Sequence, residues 1–406
     1  ALSSAASDVY KRQDRIEEIL SDESNVFRVI KQAPLVYTRC DFPVEHYTIG
    51  DGPKHLVVMG GTHGNEIIGV DFVTQLMASI AKGEGKFANF NPEEFTLDFI
   101  PLQNPEGFVI STTAIKKVIP DGTSDEETEK ICHDYWASFR QDDIDARANP
   151  QDRGEKRHQA MFASVTPDDL SDDNYELKES VKKLWETYHY PAGAMINWSA
   201  NGSGVDLNAN TPENPKNETM YAQTGVLTYA GARYNNLPTN VPSPIGCPRK
   251  DADHFEFEPE NLALFNMLSG LHESESFVGL FTYHGTGGVV YHRPYKFVDS
   301  ENYERNNEIN AEVANCYGEA CGYATGGRSY LDEPSITGCG DLMRSYLPSV
   351  LLVELSVMGG NPIAPYGDRN TYAKTINSNK EAFAKTLSLI SMRSEEISKN
   401  YISGSR

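Results

Sequence analysis

"KHLVVMGGTHGNEIIGVDFVTQLMASIAK", Lys54 to Lys82, decides how the rest of the chain is read. Its first part, "KHLVVMGG", is an apolar run of strand length that ends in two glycines. Its last part places Ile67, Val70, Val73, Leu76, Met77 and Ile80 three or four residues apart, the spacing of one helical face. Strand, tight turn and helix in that order make a βα unit. His63 and Glu66 stand in the turn, three residues apart, where both side chains can point into one space. Imidazole and carboxylate together suit Zn²⁺, which in catalytic sites takes three protein ligands and keeps one position open.

The same alternation continues outward. "FTLDFIPLQNPEGF" reads as a second strand closed by a turn at Asn104–Pro105, and "GVDLN" as a short strand end. "FVGLFTYHG" and "SVLLVELS" read as strands. "PENLALFNMLSGLHESE", "NNEINAEVANCYGEACGY" and the segment from Thr371 to Asn400 read as helices. Strands alternating with helices predict an α/β fold, with a parallel or mixed sheet covered on both faces. Ligands in such folds bind at the carboxyl ends of the strands. Residues 117–195 are richer in Asp, Glu and Lys, and are expected to form a charged helical insertion. Its surface helices fall near Asp125–Arg140 and Glu176–His189.

Composition removes several classes of function. The chain has 406 residues, 39% of them hydrophobic, which suffices for a large core. A net charge of −22 argues against a nucleic-acid partner, which needs a basic face. No apolar run approaches the roughly 18–20 residues that cross a bilayer, so no membrane partner is expected. Cys40, Cys132, Cys247, Cys316, Cys321 and Cys339 form no CxxC pair and no disulfide framework. The expectation is a soluble protein, with the cytoplasm favoured over secretion; the Asn-x-Ser/Thr triplets at Asn197, Asn201 and Asn217 do not establish the latter. The opening "ALSSAASDVYKRQ" resembles translated adapter sequence or the small-residue end of a leader. Residues 1–13 are therefore expected to be non-native or disordered, and 14–406 to form a single domain.

The HxxE spacing alone is weak, since His272 and Glu275 repeat it at the polar end of a helix with no strand or turn before them. Context strengthens the first copy. His284 follows the apolar "FVGLFTY", and Glu354 interrupts "SVLLVELSV", where a buried carboxylate is costly without a partner. One HxxE pair, a third polar strand end with His, and a further carboxylate point to a hydrolytic zinc site.

The ordered set "GGTHGNE", "LQNPEGF", "GVDLNAN", "LFTYHGTGGVVYHRP" and "VLLVEL" resembles the zinc carboxypeptidases of the carboxypeptidase A type. The resemblance spans Tyr47 to Lys116 and Ala194 to Pro365. It implies a three-layer α/β/α sandwich with a mixed sheet of about eight strands and one Zn²⁺ at their carboxyl ends. It further implies His63, Glu66 and His284 as metal ligands, and Glu354 as the general base that later acts as acid. Asn208 matches an asparagine that helps hold a substrate's terminal carboxylate, and Tyr330 is the nearest match to a mobile substrate-contacting tyrosine. The substrate implied is a peptide or small amide cut at a terminal bond.

The chain also departs from that pattern. Asn65, Ser199 and Ala209 are neutral where the family commonly carries cations. Arg328, Arg344, Arg293 and Arg233 are candidate replacements. An oxyanion donor is worth about 2.7–4 kcal/mol, so its loss without a substitute would leave a poor enzyme. Two alternatives therefore stay open. One is an amidohydrolase of small N-acyl amino acids, since "GGTHGNE" also resembles aspartoacylase and succinylglutamate desuccinylase. The other is a binding module that keeps the metal without catalysis.

Overall fold

The computed structural model describes residues 12–148, 157–190, 192–208, 258–274, 276–292, 303–326 and 349–402. Ten strands are described: β1 (Val29–Lys31), β2 (Val36–Tyr37), β3 (Pro43–Val44), β4 (Tyr47–Ile49), β5 (Lys54–Gly60), β6 (Phe95–Ile100), β7 (Phe277–Gly285), β8 (Val289–Tyr291), β9 (Ala324–Gly326) and β10 (Val350–Leu355). Eight of them form one sheet in the order β1-β4-β6-β5-β7-β10-β8-β9, while β2 and β3 pair separately. The centre, β6-β5-β7-β10, is parallel, and β1/β4, β4/β6 and β10/β8 are antiparallel. This is the mixed α/β sheet expected from the sequence, with the expected number of strands.

The described helices are α1 (Arg12–Ser21), α2 (Ile67–Ala81), α3 (Pro105–Val118), α4 (Asp125–Ala148), α5 (Arg157–Ala160), α6 (Tyr175–Tyr188), α7 (Pro259–Glu273), α8 (Tyr303–Cys321) and α9 (Arg369–Ile402). All nine residues of β7 are buried, so both of its faces are covered. On one face the Phe281 ring packs against Phe383 of α9 and Tyr317 of α8, and Tyr283 packs against Phe72 of α2. Thr282 and His284, which alternate with them, are equally buried on the opposite face. Helix α2 is buried along nearly its whole length, because it lies directly over β5 and β7. Gly69 permits that approach: a Cβ there would sit 2.6 Å from the carbonyl oxygen of Tyr283.

Three expectations change. Asn104–Pro105 is not a turn that closes a strand but the start of α3. The Asn104 side chain accepts from the Gly107 N–H, and Pro105 takes the first helical position, where its missing N–H costs nothing. "GVDLN" is turn rather than strand; Asn201 Oδ1 accepts from the Ser203 and Val205 N–H groups and folds the segment back. The insertion does contain the two expected helices, but they are not simply solvated. Tyr135 of α4 and Leu177 and Val181 of α6 are fully buried, as is Phe162 between them, and they join the core.

Residues 1–11 lie outside the described residues, and Arg12 and Gln13 already belong to α1. Among the described residues Cys40, Cys132, Cys316 and Cys321 are free thiols. No described helix is long and apolar enough to cross a membrane.

Candidate metal centre

The loop between β5 and α2 is built to bring His63 and Glu66 together at the end of the sheet. Gly61 adopts φ +64°, which lets the chain leave β5 sharply. Gly64 then runs against the first turn of α3, where a Cβ would lie 2.2 Å from the carbonyl carbon of Gly107. The Gly64 N–H donates to the Ser199 carbonyl at 3.0 Å. The buried Asn104 amide ties the parts together, donating to the carbonyls of Thr62 (3.2 Å) and Ser199 (3.1 Å). "THGNE", "NPEG" and "WSAN" are therefore one packed unit, although they are far apart in sequence.

Glu66 precedes the first turn of α2 without capping it. Its carboxylate faces two imidazoles instead: Oε1 lies 2.9 Å from His63 Nδ1, and Oε2 lies 2.8 Å from His284 Nδ1. The two rings are nearly edge-to-face, with centroids 5.2 Å apart. One potential ligand atom from each of His63, Glu66 and His284 falls within 4.8 Å of the others. Among the described residues this is the one group of three or more such side chains so arranged.

The donor set fits a divalent zinc ion. Two nitrogens and a carboxylate leave a position open, and the polar atoms here are poorly satisfied by protein alone. Among the described residues, Glu66 Oε2 makes no aligned hydrogen bond despite its short contact, and His284 Nε2 is buried without a hydrogen-bond partner. Burial opposes charge on the His63 imidazole, but Glu66 and then Asp206 outweigh it and hold its pKa well above the usual range. Burial likewise opposes charge on Glu66, and the two histidines outweigh it and lower its pKa. The arrangement attracts positive charge between these groups.

Glu354 stands beside this group through the sheet itself. In the parallel pairing of β7 with β10, Glu354 is the register partner of His284, so both side chains leave the same face at the same level. The loop after His284 folds back over it: Gly288 N–H donates to the Glu354 carbonyl at 2.8 Å, and a Cβ on Gly287 would sit 3.0 Å from Glu354 Cβ. The "GTGG" sequence is thus a requirement of space.

The sequence reading missed Asp206. Its Oδ1 lies 3.3 Å from His63 Nε2, on the ring edge away from Glu66, and it is almost fully buried. A carboxylate behind a metal-binding imidazole fixes the tautomer and ring orientation. Asn208, singled out from the same "GVDLN" segment, is half-buried, and its backbone N–H donates to Asp206 Oδ1 at 2.9 Å. The signal was available as an aspartate in an otherwise apolar segment. Asn65 pairs with Ser199 (Oγ to Oδ1, 2.7 Å), so two of the neutral positions noted above contact each other.

Arg328, Tyr330, Arg344, Arg293, Arg233 and Ala209 lie outside the described residues. In the second HxxE copy, His272 falls within α7 and Glu275 lies outside the described residues.

A family profile described as zinc carboxypeptidase matches residues 43–346. No curated protein sequence matches the chain. Among solved structures, bovine thrombin-activatable fibrinolysis inhibitor in complex with tick carboxypeptidase inhibitor aligns over 96% of this chain and 98% of its own, with 14% identity and a TM-score of 0.51. A second structure of thrombin-activatable fibrinolysis inhibitor aligns over 96% of this chain and 74% of its own, with 13% identity and a TM-score of 0.51. At these identities the likeness is one of fold.

Proposed function

Because the chain belongs to the zinc carboxypeptidase family, we propose that it is a zinc-dependent hydrolase that cleaves a terminal peptide or amide bond. The observation that carries this reading is the convergence of His63, Glu66 and His284, with Glu354 next to His284 in register. In it, the three converging side chains hold one Zn²⁺. When bound, the ion supplies Lewis acidity, which polarises a carbonyl and lowers the pKa of water from about 15.7 towards about 7.

The chain's own residues do the rest. Glu354 accepts the proton of the attacking water and delivers it to the departing amine, so the amine leaves neutral and the carboxylate is regenerated. Asp206 holds His63 with Nδ1 turned towards the metal position. Asn208, with Tyr330, Arg328 and Arg344, is assigned to substrate binding, and one of these arginines replaces the cations absent at Asn65, Ser199 and Ala209.

Zinc analysis of the purified protein, followed by a panel of peptides, C-terminally amidated peptides and N-acyl amino acids, tests the reading. About one zinc per chain and release of a terminal residue are expected. Failure to take up zinc under zinc-replete conditions would remove the proposal. Hydrolysis confined to N-acyl amino acids would replace it with the amidohydrolase alternative.

A further inference from the structure

The helical insertion meets the sheet at one place of chemical consequence. On α4, Cys132, Tyr135 and Phe139 recur at helical spacing and share one face. That face lies on the loop that follows Glu354. A Cβ on Gly360 would come within 3.1 Å of the Phe139 ring, and one on Gly367 within 2.9 Å of the Cys132 backbone. Beyond the loop, Glu129 holds Arg369, with Oε2 2.9 Å from Nε.

The middle of this contact is polar. The buried Tyr135 hydroxyl donates to the Asn361 carbonyl at 2.7 Å. The Asn361 side chain donates from Nδ2 to the carbonyl of Gly285, the residue after His284. Among the described residues Asn361 Oδ1 is buried without a partner, so the bond donated by Nδ2 orients this side chain. Gly285 pairs in register with Leu355, the neighbour of Glu354. One chain of contacts thus runs from the insertion to the backbone between the third metal-binding side chain and the proton carrier.

We propose that Tyr135 is a positioning residue, which through Asn361 fixes the backbone at Gly285 and hence the aim of His284. The insertion is then part of the apparatus that shapes the metal centre. This inference rests on the zinc-site reading given above.

The test is zinc affinity, measured by competition with a chromophoric chelator, in Tyr135→Phe, Asn361→Ala and the double variant. Tyr372→Phe serves as control, because it removes a buried hydroxyl that bonds Asp71 of α2 and takes no part in the contacts of Tyr135, Asn361 and Gly285. Tyr135→Phe is expected to lose about 10-fold or more in affinity, in the range found for groups that orient ligands. Asn361→Ala should lose at least as much, and the double variant no more than Asn361→Ala, as members of one relay must. Tyr372→Phe should lower the melting temperature and leave zinc affinity unchanged. Tyr135→Phe with wild-type affinity and a lowered melting temperature overturns the proposal, as do simply additive losses in the double variant. A wild-type protein that takes up no zinc overturns the metal-site reading itself, and this proposal with it.

Discussion

Asp206 stands behind His63, its Oδ1 3.3 Å from Nε2, so the imidazole is gripped on the edge opposite Glu66. Removing that grip frees the ring to rotate and to change tautomer. Asp206→Ala is expected to weaken zinc binding by about 10–100-fold. Chelator competition measures this directly, and unchanged affinity would show that His63 is oriented by packing alone.

Glu354 is expected to be dispensable for the metal and necessary for the reaction. Glu354→Gln keeps the shape of the side chain and removes its basicity. It should retain zinc while hydrolysis of the best substrate falls by about 100–10,000-fold. Full activity in a zinc-loaded Glu354→Gln protein would assign the proton transfer elsewhere.

Glu260 predicts how stability depends on pH. It is buried beside Glu106 and Glu258, its Oε2 lacks a hydrogen-bond partner among the described residues, and burial followed by those neighbours raises its pKa from 4.5 to about 8. Between those values the folded protein retains a proton that the unfolded chain has released. This contribution to stability is therefore complete below about 4.5 and is lost as pH rises through about 8. Urea midpoints measured across this window should decline in the wild type and stay flatter in Glu260→Gln. Parallel profiles for the two proteins would exclude Glu260 as the cause.

Two glycines should respond in opposite ways to alanine. Gly64 lies between His63 and Glu66 in the turn, where a Cβ would collide with the Gly107 backbone. Gly64→Ala should cost about 1–3 kcal/mol of stability, with zinc content falling as the turn shifts. Gly270 lies in α7, is exposed, and a Cβ there would meet nothing within 4 Å. Gly270→Ala should stabilise by about 0.4–1 kcal/mol, by restricting the unfolded chain. Melting curves decide both, and equal shifts would refute the packing argument.

The difference between these glycines shows where the sequence is legible. The long apolar strands β5, β7 and β10 and helices α2, α7, α8 and α9 can be read locally, because periodicity and length carry them. The short strands β1 to β4, β8 and β9 cannot, since two or three residues hold no period and depend on their neighbours for pairing. At the site, His63, Glu66, His284 and Glu354 could be picked out as polar groups that end or interrupt apolar runs. Asp206 could not be ranked above Asn208 without knowing that His63 lies next to it. Gly64 is meaningful only with Gly107, 43 positions later, and Asn104 only with the loop it ties. The role of the insertion was hidden for the same reason: charge density marks the outer side of α4, while its inner stripe is known only from what it touches.

His284 and Glu354 also face each other on one rung of the central parallel ladder, on adjacent strands that are largely buried. Backbone amides at such positions exchange with solvent only when the molecule opens as a whole. The proposed reacting centre and the most slowly opening part of the protein are then the same. Heat inactivation should therefore keep pace with global melting, with no long-lived form that stays folded after losing its centre.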